Sequence, residues 1–236
     1  MALGEDSYFQ LSLFQSWQLL YEGTEIHVAT RQQRLISAVA LIGSRHRRYY
    51  SGLLWPDSPE RLAAESLRAS IHVLSRQVPG LLISDGPALA LSNDTHVDYN
   101  YLLDQLNACE LENSVPCCND CLPHLLKAEL LPGWYEDWVV LEQERLRNVR
   151  LRSLLSHARV WLAYGDCERA VEAAEIALEL EPLYESCIDL LMRAEAKLGN
   201  RARALRTFET FKKNLAFELG VGPSDALLSL AVALRR

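Results

Sequence analysis

Side chains able to bind nucleic acid recur along one side of the segment from residue 59 to residue 78. Apolar residues at three- and four-residue spacing predict an amphipathic helix there, with Leu67 at the centre of its buried face. The opposite face and its flank then carry Arg61, Arg68, His72 and Arg76. A guanidinium can donate two hydrogen bonds to guanine O6 and N7, and arginine or histidine can hold a phosphate. We therefore predict that these four residues contact duplex DNA.

Four further arginines precede that segment and could hold backbone phosphates at the edges of the same site. They are Arg31, Arg45, Arg47 and Arg48. The alternative interpretation is that all of these arginines only solvate exposed surfaces. That alternative is favoured by Glu65, which would repel phosphates, and by the uncharged Ala69 and Val73 on the same helix face.

A cysteine cluster between residues 117 and 124 has residue types that can bind a metal ion. Its members are Cys117, Cys118, Cys121 and His124, with Cys109 as a further candidate ligand. Thiolates and imidazole at such spacing can share a tetrahedral zinc ion. Structural zinc sites usually join two distant ligand pairs, however, and the sequence has no second C-x-x-C. We therefore favour reduced thiols and no cofactor over zinc or a redox-sensing pair, and we interpret Cys167 and Cys187 as small core residues.

No combination of residues with a catalytic spacing is found. The sequence lacks a G-x-S-x-G turn, an H-E-x-x-H helix, a glycine-rich dinucleotide turn and a phosphate-binding loop. We therefore predict that the protein is not an enzyme.

Charge is unevenly divided along the 236 residues, which have a net charge of −7. Residues 1–95 contain eight arginines and nine acidic residues, whereas residues 96–236 contain 16 basic and 22 acidic ones. Since DNA-binding domains are usually basic, any DNA contact must depend on where the arginines lie. No apolar run approaches the ~20 residues of a membrane helix, and the acidic N-terminus lacks the pattern of a secretion signal. We expect a cytoplasmic protein.

The elements that must position these side chains begin with a small α+β domain. Alternating apolar residues predict strands at 8–14, 17–21 and 25–28, and a first helix capped by Thr30 that ends at Gly43. A short segment follows at 49–55, then the long helix with Ser58 as cap and Pro59 in its first turn. A hairpin pairs 81–83 with 88–91. Three strands, three helices and a terminal hairpin are the order of a winged helix.

Residues 96–236 have a helical pattern with an internal repeat. Four pairs of positions recur at one constant offset: Gly165 and Gly199, Asp166 and Asn200, Arg169 and Arg203, Ala170 and Ala204. That offset matches the period of the tetratricopeptide repeat, about 34 residues, in which glycine permits the tight turn between two helices and alanine their close approach.

Residues 50–78 and 125–225 resemble the SARP-type antibiotic regulatory activators. The matching stretches are LLWPDS at 53–58, SLR at 66–68, LLPGWYEDW at 130–138, EQERLR at 142–147 and ELGVGPS at 218–224. The resemblance implies an OmpR-like winged-helix DNA-binding domain over residues 1–95. It also implies an all-α bacterial transcriptional activator domain of tetratricopeptide-like repeats over residues 96–236.

The same resemblance implies a function. The winged helix would bind double-stranded promoter DNA, the repeat domain would recruit RNA polymerase subunits, and a homodimer through the repeat domain is a further expectation. The alternative is a protein-interaction adaptor whose winged helix no longer binds DNA.

Overall fold

A computed structural model of the protein describes residues 9–111 and 129–236, with residue 85 and residues 107–111 described by their backbone alone. These residues form two compact units. The first contains residues 9–104 and 129–143, and the second contains 105–111 and 144–236. The predicted domain boundary between residues 95 and 96 stays a prediction, because compactness does not mark where one family domain ends and the next begins.

The N-terminal elements follow the order expected of a winged helix. They are β1 (Phe9–Ser12), β2 (Gln18–Tyr21), β3 (Thr24–Glu25), α1 (Thr30–Ile42), β4 (Arg45–His46), α2 (Arg47–Leu54), α3 (Glu60–Gln77), β5 (Leu82–Asp85), β6 (Ala88–Leu91) and β7 (Thr95–Val97). The predicted order of three strands, three helices and a hairpin is therefore confirmed. The bounds of the third strand were wrong, because β3 shares only Glu25 with the predicted segment 25–28.

Two sheets support the three helices. The first has the order β3-β2-β1-β7, with β1 antiparallel to β2 and parallel to β7. Along β1 the buried Phe9 and Leu11 alternate with partly exposed residues, as expected of a strand with one face on the core. The second sheet has the order β4-β6-β5, so the hairpin of β5 and β6 forms the wing. The strands β4 and β7 were not predicted.

The helix starts differ from the predicted caps by one residue. Ala29 is the N-cap of α1, with no side-chain hydrogen bond, and Thr30 is already helical. Likewise Pro59 is the N-cap of α3, so the predictions of Thr30 and Ser58 as caps were wrong. Pro59 has an extended ψ of 140°, and helix ends shift by a residue or two without changing which face is buried.

The LLPGWYEDW stretch at 130–138 lies against the segment that follows β1. The Leu131 amide donates to the carbonyl of Leu13 at 2.8 Å, and the Gln15 amide donates to the carbonyl of Glu129 at 3.0 Å. Arg34 on α1 adds an ion pair to Glu136 at 2.5 Å. This stretch therefore belongs to the N-terminal unit, although it comes well after β7 in the sequence.

The remaining elements are helical. They are α4 (Asp98–Leu111), α5 (Asp137–Tyr164), α6 (Cys167–Leu180), α7 (Glu185–Lys197), α8 (Arg201–Leu219) and α9 (Asp225–Arg235). None of the helices in the described ranges is long and apolar enough to cross a membrane. At the start of α4, the part-buried Asp98 carboxylate accepts hydrogen bonds from the amides of Leu13, Phe14 and Tyr99, at 2.7–3.1 Å. Burial raises the pKa of Asp98, and these three donors oppose that shift.

The constant offset of the sequence repeat corresponds to equivalent turns in the second unit. Gly165 between α5 and α6 has φ of 85°, and Gly199 between α7 and α8 has φ of 83°. L side chains rarely adopt such angles, which explains glycine at both turns. Ala170 and Ala204 each lie fully buried in the helix that follows. The predicted repeat is thus confirmed at these positions.

Cysteines and other apolar residues fill the core of this unit. Cys167 and Cys187 are free and buried, as predicted, and burial raises the pKa of the Cys187 thiol to about 12. Around α7, α8 and α9 a cluster of buried residues comprises Ile188, Met192, Ala204, Phe208, Phe211, Leu215, Leu227 and Ala231.

Candidate nucleic-acid interface

One face of α3 is left open by the described part of the chain. The helix buries Ala63, Leu67, Ser70 and Leu74. On the other side we call one set of exposed residues the α3 stripe: Arg61, Glu65, Arg68, Ala69, His72, Val73 and Arg76. Their spacing of three and four residues places them on one helix surface. The exposed apolar residue Leu62 lies among them. The fold therefore buries the predicted apolar face of α3 and leaves the predicted arginines and His72 exposed.

The basic side chains of the α3 stripe differ in how they are engaged. Arg61 donates to the Glu65 carboxylate at 2.7 Å, and both side chains are exposed. Such exposed pairs at i and i+4 contribute only about 0.3–0.5 kcal/mol. Among the described residues, Arg68, His72 and Arg76 have no hydrogen-bond or ion-pair partner. These three side chains can turn toward a ligand without breaking a bond to that part of the chain.

Arg31 of α1 is bound to residues of α3. Its Nε donates to the Ser70 hydroxyl at 2.9 Å and its second guanidinium nitrogen donates to the Ser66 carbonyl at 2.7 Å. The guanidinium also lies over the Trp55 ring, 5.2 Å from its centroid. Arg31 therefore fastens α1 to α3, and a phosphate contact from its remaining donors stays a prediction.

The arginines of β4 and of the start of α2 are partly engaged by the wing and by α3. Arg47 donates to the Ser84 hydroxyl at 2.8 Å, and its backbone amide donates to the Pro87 carbonyl at 2.9 Å. Arg48 pairs with Glu60 of α3 at 2.9 Å. Arg45 donates to the neighbouring carbonyl of Ser44 at 3.0 Å. Arg45 and Arg48 nevertheless stay exposed and Arg47 half-buried, so phosphate contacts from this cluster remain predictions.

Two contacts in this region escaped the sequence reasoning. The His46 Nδ1 accepts a hydrogen bond from the Arg48 amide at 3.1 Å and so caps α2. The Glu65 carboxylate was predicted only to repel phosphates, whereas it also binds Arg61. The i, i+4 spacing of an arginine and a glutamate was the available signal for that pair.

The cysteine cluster lies outside the described residues. This applies to Cys117, Cys118, Cys121 and His124, and to the side chain of Cys109. Within 9–111 and 129–236, no three histidine, cysteine or acidic side chains are grouped so that they could hold a metal ion.

Comparison with known proteins finds similar regulators. Residues 121–235 match the model of the bacterial transcriptional activator domain. The regulatory protein AfsR of Streptomyces coelicolor is 27% identical over 221 residues, which cover 89% of this chain. These two findings support the resemblance to the SARP-type transcriptional regulators. The chain spans only 22% of the AfsR sequence.

A solved structure supports the fold of this chain. Mycobacterium tuberculosis EmbR, solved in complex with a low-affinity phosphopeptide, has a TM-score of 0.75 and 17% identity. The match covers 98% of this chain and 65% of the EmbR chain. The predicted fold class, an α+β winged helix followed by tetratricopeptide-like helical repeats, is thereby confirmed.

Proposed function

We propose that this protein is a SARP-type regulator that binds double-stranded promoter DNA through α3 and activates transcription by recruiting RNA polymerase. The observation that carries the proposal is the α3 stripe. It presents Arg68, His72 and Arg76 without partners among the described residues, on a helix whose other side is anchored in the core. A recognition helix needs this division, because its outward side chains must reach base edges in the major groove.

The length of the α3 stripe suits such a groove. At 1.5 Å of rise per residue, Arg61 and Arg76 are separated by roughly 22 Å along the helix axis. That distance corresponds to about six base-pair steps of 3.4 Å. Arg61, Arg68 and Arg76 would bind base edges or phosphates, with His72 beside them. Arg31, Arg45, Arg47 and Arg48 would hold phosphates at the margins.

The helical repeats would supply the second half of the function. Residues 96–236 have six more acidic than basic residues, so this part of the chain favours a basic protein surface over DNA. Repeat domains bind peptides and helices without chemistry, and we assign no catalytic step. Holding polymerase and promoter at once raises their effective concentration. A homodimer through the repeats and a cytoplasmic location complete the proposal.

The first test combines Arg61→Ala with Arg76→Ala. We expect the double variant to lose retention of genomic promoter fragments in a gel shift, because two cations of the α3 stripe are gone. Its melting curve by circular dichroism should stay close to that of the wild type, since neither side chain is buried. Retention equal to that of the wild type would remove α3 from the interface.

A matched control removes the same charge elsewhere. Arg206→Ala with Arg201→Ala takes two exposed arginines from α8, and we expect full retention. Equal loss in both double variants would indicate a bulk charge effect.

The second candidate is the protein-interaction adaptor. It is favoured by the wing, which has no lysine or arginine between residues 81 and 91, and by the uncharged Ala69 and Val73 within the α3 stripe. An adaptor would retain no promoter fragment at any ionic strength, whereas the DNA-binding regulator would retain fragments at low salt.

A further inference from the structure

We propose that Glu65 determines base specificity within the α3 stripe: it holds Arg61 in the free protein and accepts a hydrogen bond from a cytosine amino group on the bound duplex. This inference deepens the proposed function and rests on it. It reverses the interpretation of Glu65 as a residue that only weakens DNA binding.

The position of Glu65 places its carboxylate where base edges would lie. It follows Arg61 by one helical turn and precedes Arg68, Ala69 and His72 on the same face. Its side chain is 44% exposed, so oxygen lone pairs remain open beside the bond to Arg61. Any duplex that reaches Arg61 and Arg68 must therefore also approach Glu65.

A carboxylate in that position can bind only some of the groups that a duplex presents. It is repelled by phosphates, whereas the amino group of cytosine N4 donates into the major groove and is a common partner of glutamate. Arg61 next to it can donate to guanine O6 and N7. Four residues of helix correspond to about 6 Å, or roughly two base-pair steps. The pair can thus read a cytosine and a guanine close together.

The ion pair makes this reading selective. On a duplex without a cytosine at that place, the other major-groove amino donor is adenine N6, and the adjacent acceptor N7 repels the Glu65 carboxylate. The carboxylate also stays near phosphates, so the complex is weakened. On the matching duplex both groups find partners, and the exposed ion pair opens at little cost. Glu65 therefore lowers affinity for unrelated DNA more than for the matching site, which is how a repulsive group raises specificity.

The test compares wild type with Glu65→Gln in the full chain. Each protein selects from a pool of randomised duplexes, and the selected duplexes are then competed with poly(dA-dT), which contains no cytosine. We expect the wild type to enrich a cytosine that Glu65→Gln no longer enriches. The ratio of affinities for the selected duplex and for poly(dA-dT) should fall about tenfold, in the range of one base contact.

Glu60→Gln is the matched control. It also removes one exposed carboxylate from α3 and frees an arginine, Arg48, but Glu60 lies off the α3 stripe. We expect Glu60→Gln to tighten binding to both DNAs alike and to leave the selected sequence unchanged. Circular-dichroism melts check that each variant is folded.

The outcomes separate this inference from the proposed function. If the wild type selects a sequence and Glu65→Gln selects the same cytosine with the same affinity ratio, the inference is wrong and DNA binding stands. If Glu65→Gln and Glu60→Gln change the selected sequence and the affinity ratio in the same way, Glu65 acts by charge alone and the inference is again wrong. If the wild type retains no duplex even at low salt, both fail.

Discussion

At the scale of single residues, exposure alone does not identify an arginine that is available to a ligand. Arg31 is exposed like Arg68, yet it donates to Ser66 and Ser70 and lies over Trp55. Arg68 has no partner among the described residues. The planar guanidinium serves both purposes, because its fork of donors suits backbone and hydroxyl oxygens as well as phosphates. Only the contacts distinguish the two roles.

Tyr50 is a second residue whose role depends on its surroundings. It is fully buried, and its hydroxyl donates to the carbonyl of Gly43 at the end of α1. Burial raises the pKa of Tyr50 from its ordinary value of 10.0 to about 12. The hydroxyl therefore joins α2 to the end of α1 and keeps its proton to a higher pH than in the unfolded chain.

We expect Tyr50→Phe to lower the free energy of unfolding by about 1 kcal/mol at pH 7, the typical contribution of one hydrogen bond. Because the unfolded chain loses this proton near pH 10 and the folded one near 12, the stability from Tyr50 is complete below pH 10. It declines as pH rises toward 12. Urea denaturation at pH 7 and pH 11 should show a wild-type advantage that shrinks at the higher pH. Tyr49→Phe, at a half-exposed ring, is the control, and a constant advantage would contradict the assignment.

At the scale of elements, ion pairs connect successive helices of the repeat region. Arg203 of α8 lies 2.7 Å from a carboxylate oxygen of Glu195 on α7 and also contacts Glu175 of α6. Glu195 is fully buried. Arg169, the counterpart of Arg203 in the preceding repeat, instead pairs with Asp166 of its own turn at 3.4 Å. Equivalent repeat positions thus share a backbone role while their side chains bind different partners.

We expect Arg203→Ala to lower the free energy of unfolding by about 3 kcal/mol, because it leaves the Glu195 charge buried without its partner. Arg206→Ala on the same helix removes an exposed arginine and should change stability by less than about 0.5 kcal/mol. Urea denaturation followed by circular dichroism measures both.

A second substitution checks the cause. Adding Glu195→Gln to Arg203→Ala removes the buried charge and should recover part of the lost stability. No recovery would indicate that Arg203 contributes through its alkyl packing and not through the ion pair.

At the scale of the whole molecule, a chain of net charge −7 is proposed to bind a polyanion. Attraction at long range is then weak or unfavourable, and affinity must come from contacts within the interface. Residues 1–95, with an excess of one acidic residue, differ from a typical basic DNA-binding domain in this respect.

The salt dependence of DNA binding tests whether the affinity comes from contacts between arginines and phosphates. If the interface neutralises about five phosphates, log affinity should fall with log salt at a slope of about −4.5. Raising KCl from about 50 to about 200 mM would then weaken binding to a selected genomic fragment by roughly 500-fold. Fluorescence anisotropy of the labelled fragment measures the slope. A slope near zero would mean that the arginines do not contact phosphates.

Much of the architecture was predictable because its signals are local. The apolar spacing around Leu67 and Leu74 determined which face of α3 is buried. Gly165 and Gly199, one repeat apart, marked two equivalent turns, since each turn requires a positive φ. The sequence alone also predicted the order of β1, β2, α1, α2, α3, β5 and β6, and the SARP-type motifs indicated the resemblance. Periodicity and turn chemistry act over a few residues, so they can be recognised without a fold.

Other features were decided only when distant segments met. The short strand β7 pairs with β1 from the opposite end of the N-terminal domain, and β4 completes the wing through β6. No sequence pattern near either strand indicates which strand it pairs with. The same holds for the arginines: tertiary contacts engage Arg31, Arg47 and Arg48 with Ser70, Ser84 and Glu60, while Arg68 and Arg76 stay without partners among the described residues. Charge and exposure follow from residue type and periodicity, but hydrogen-bond partners depend on which surfaces the whole fold brings within about 3 Å.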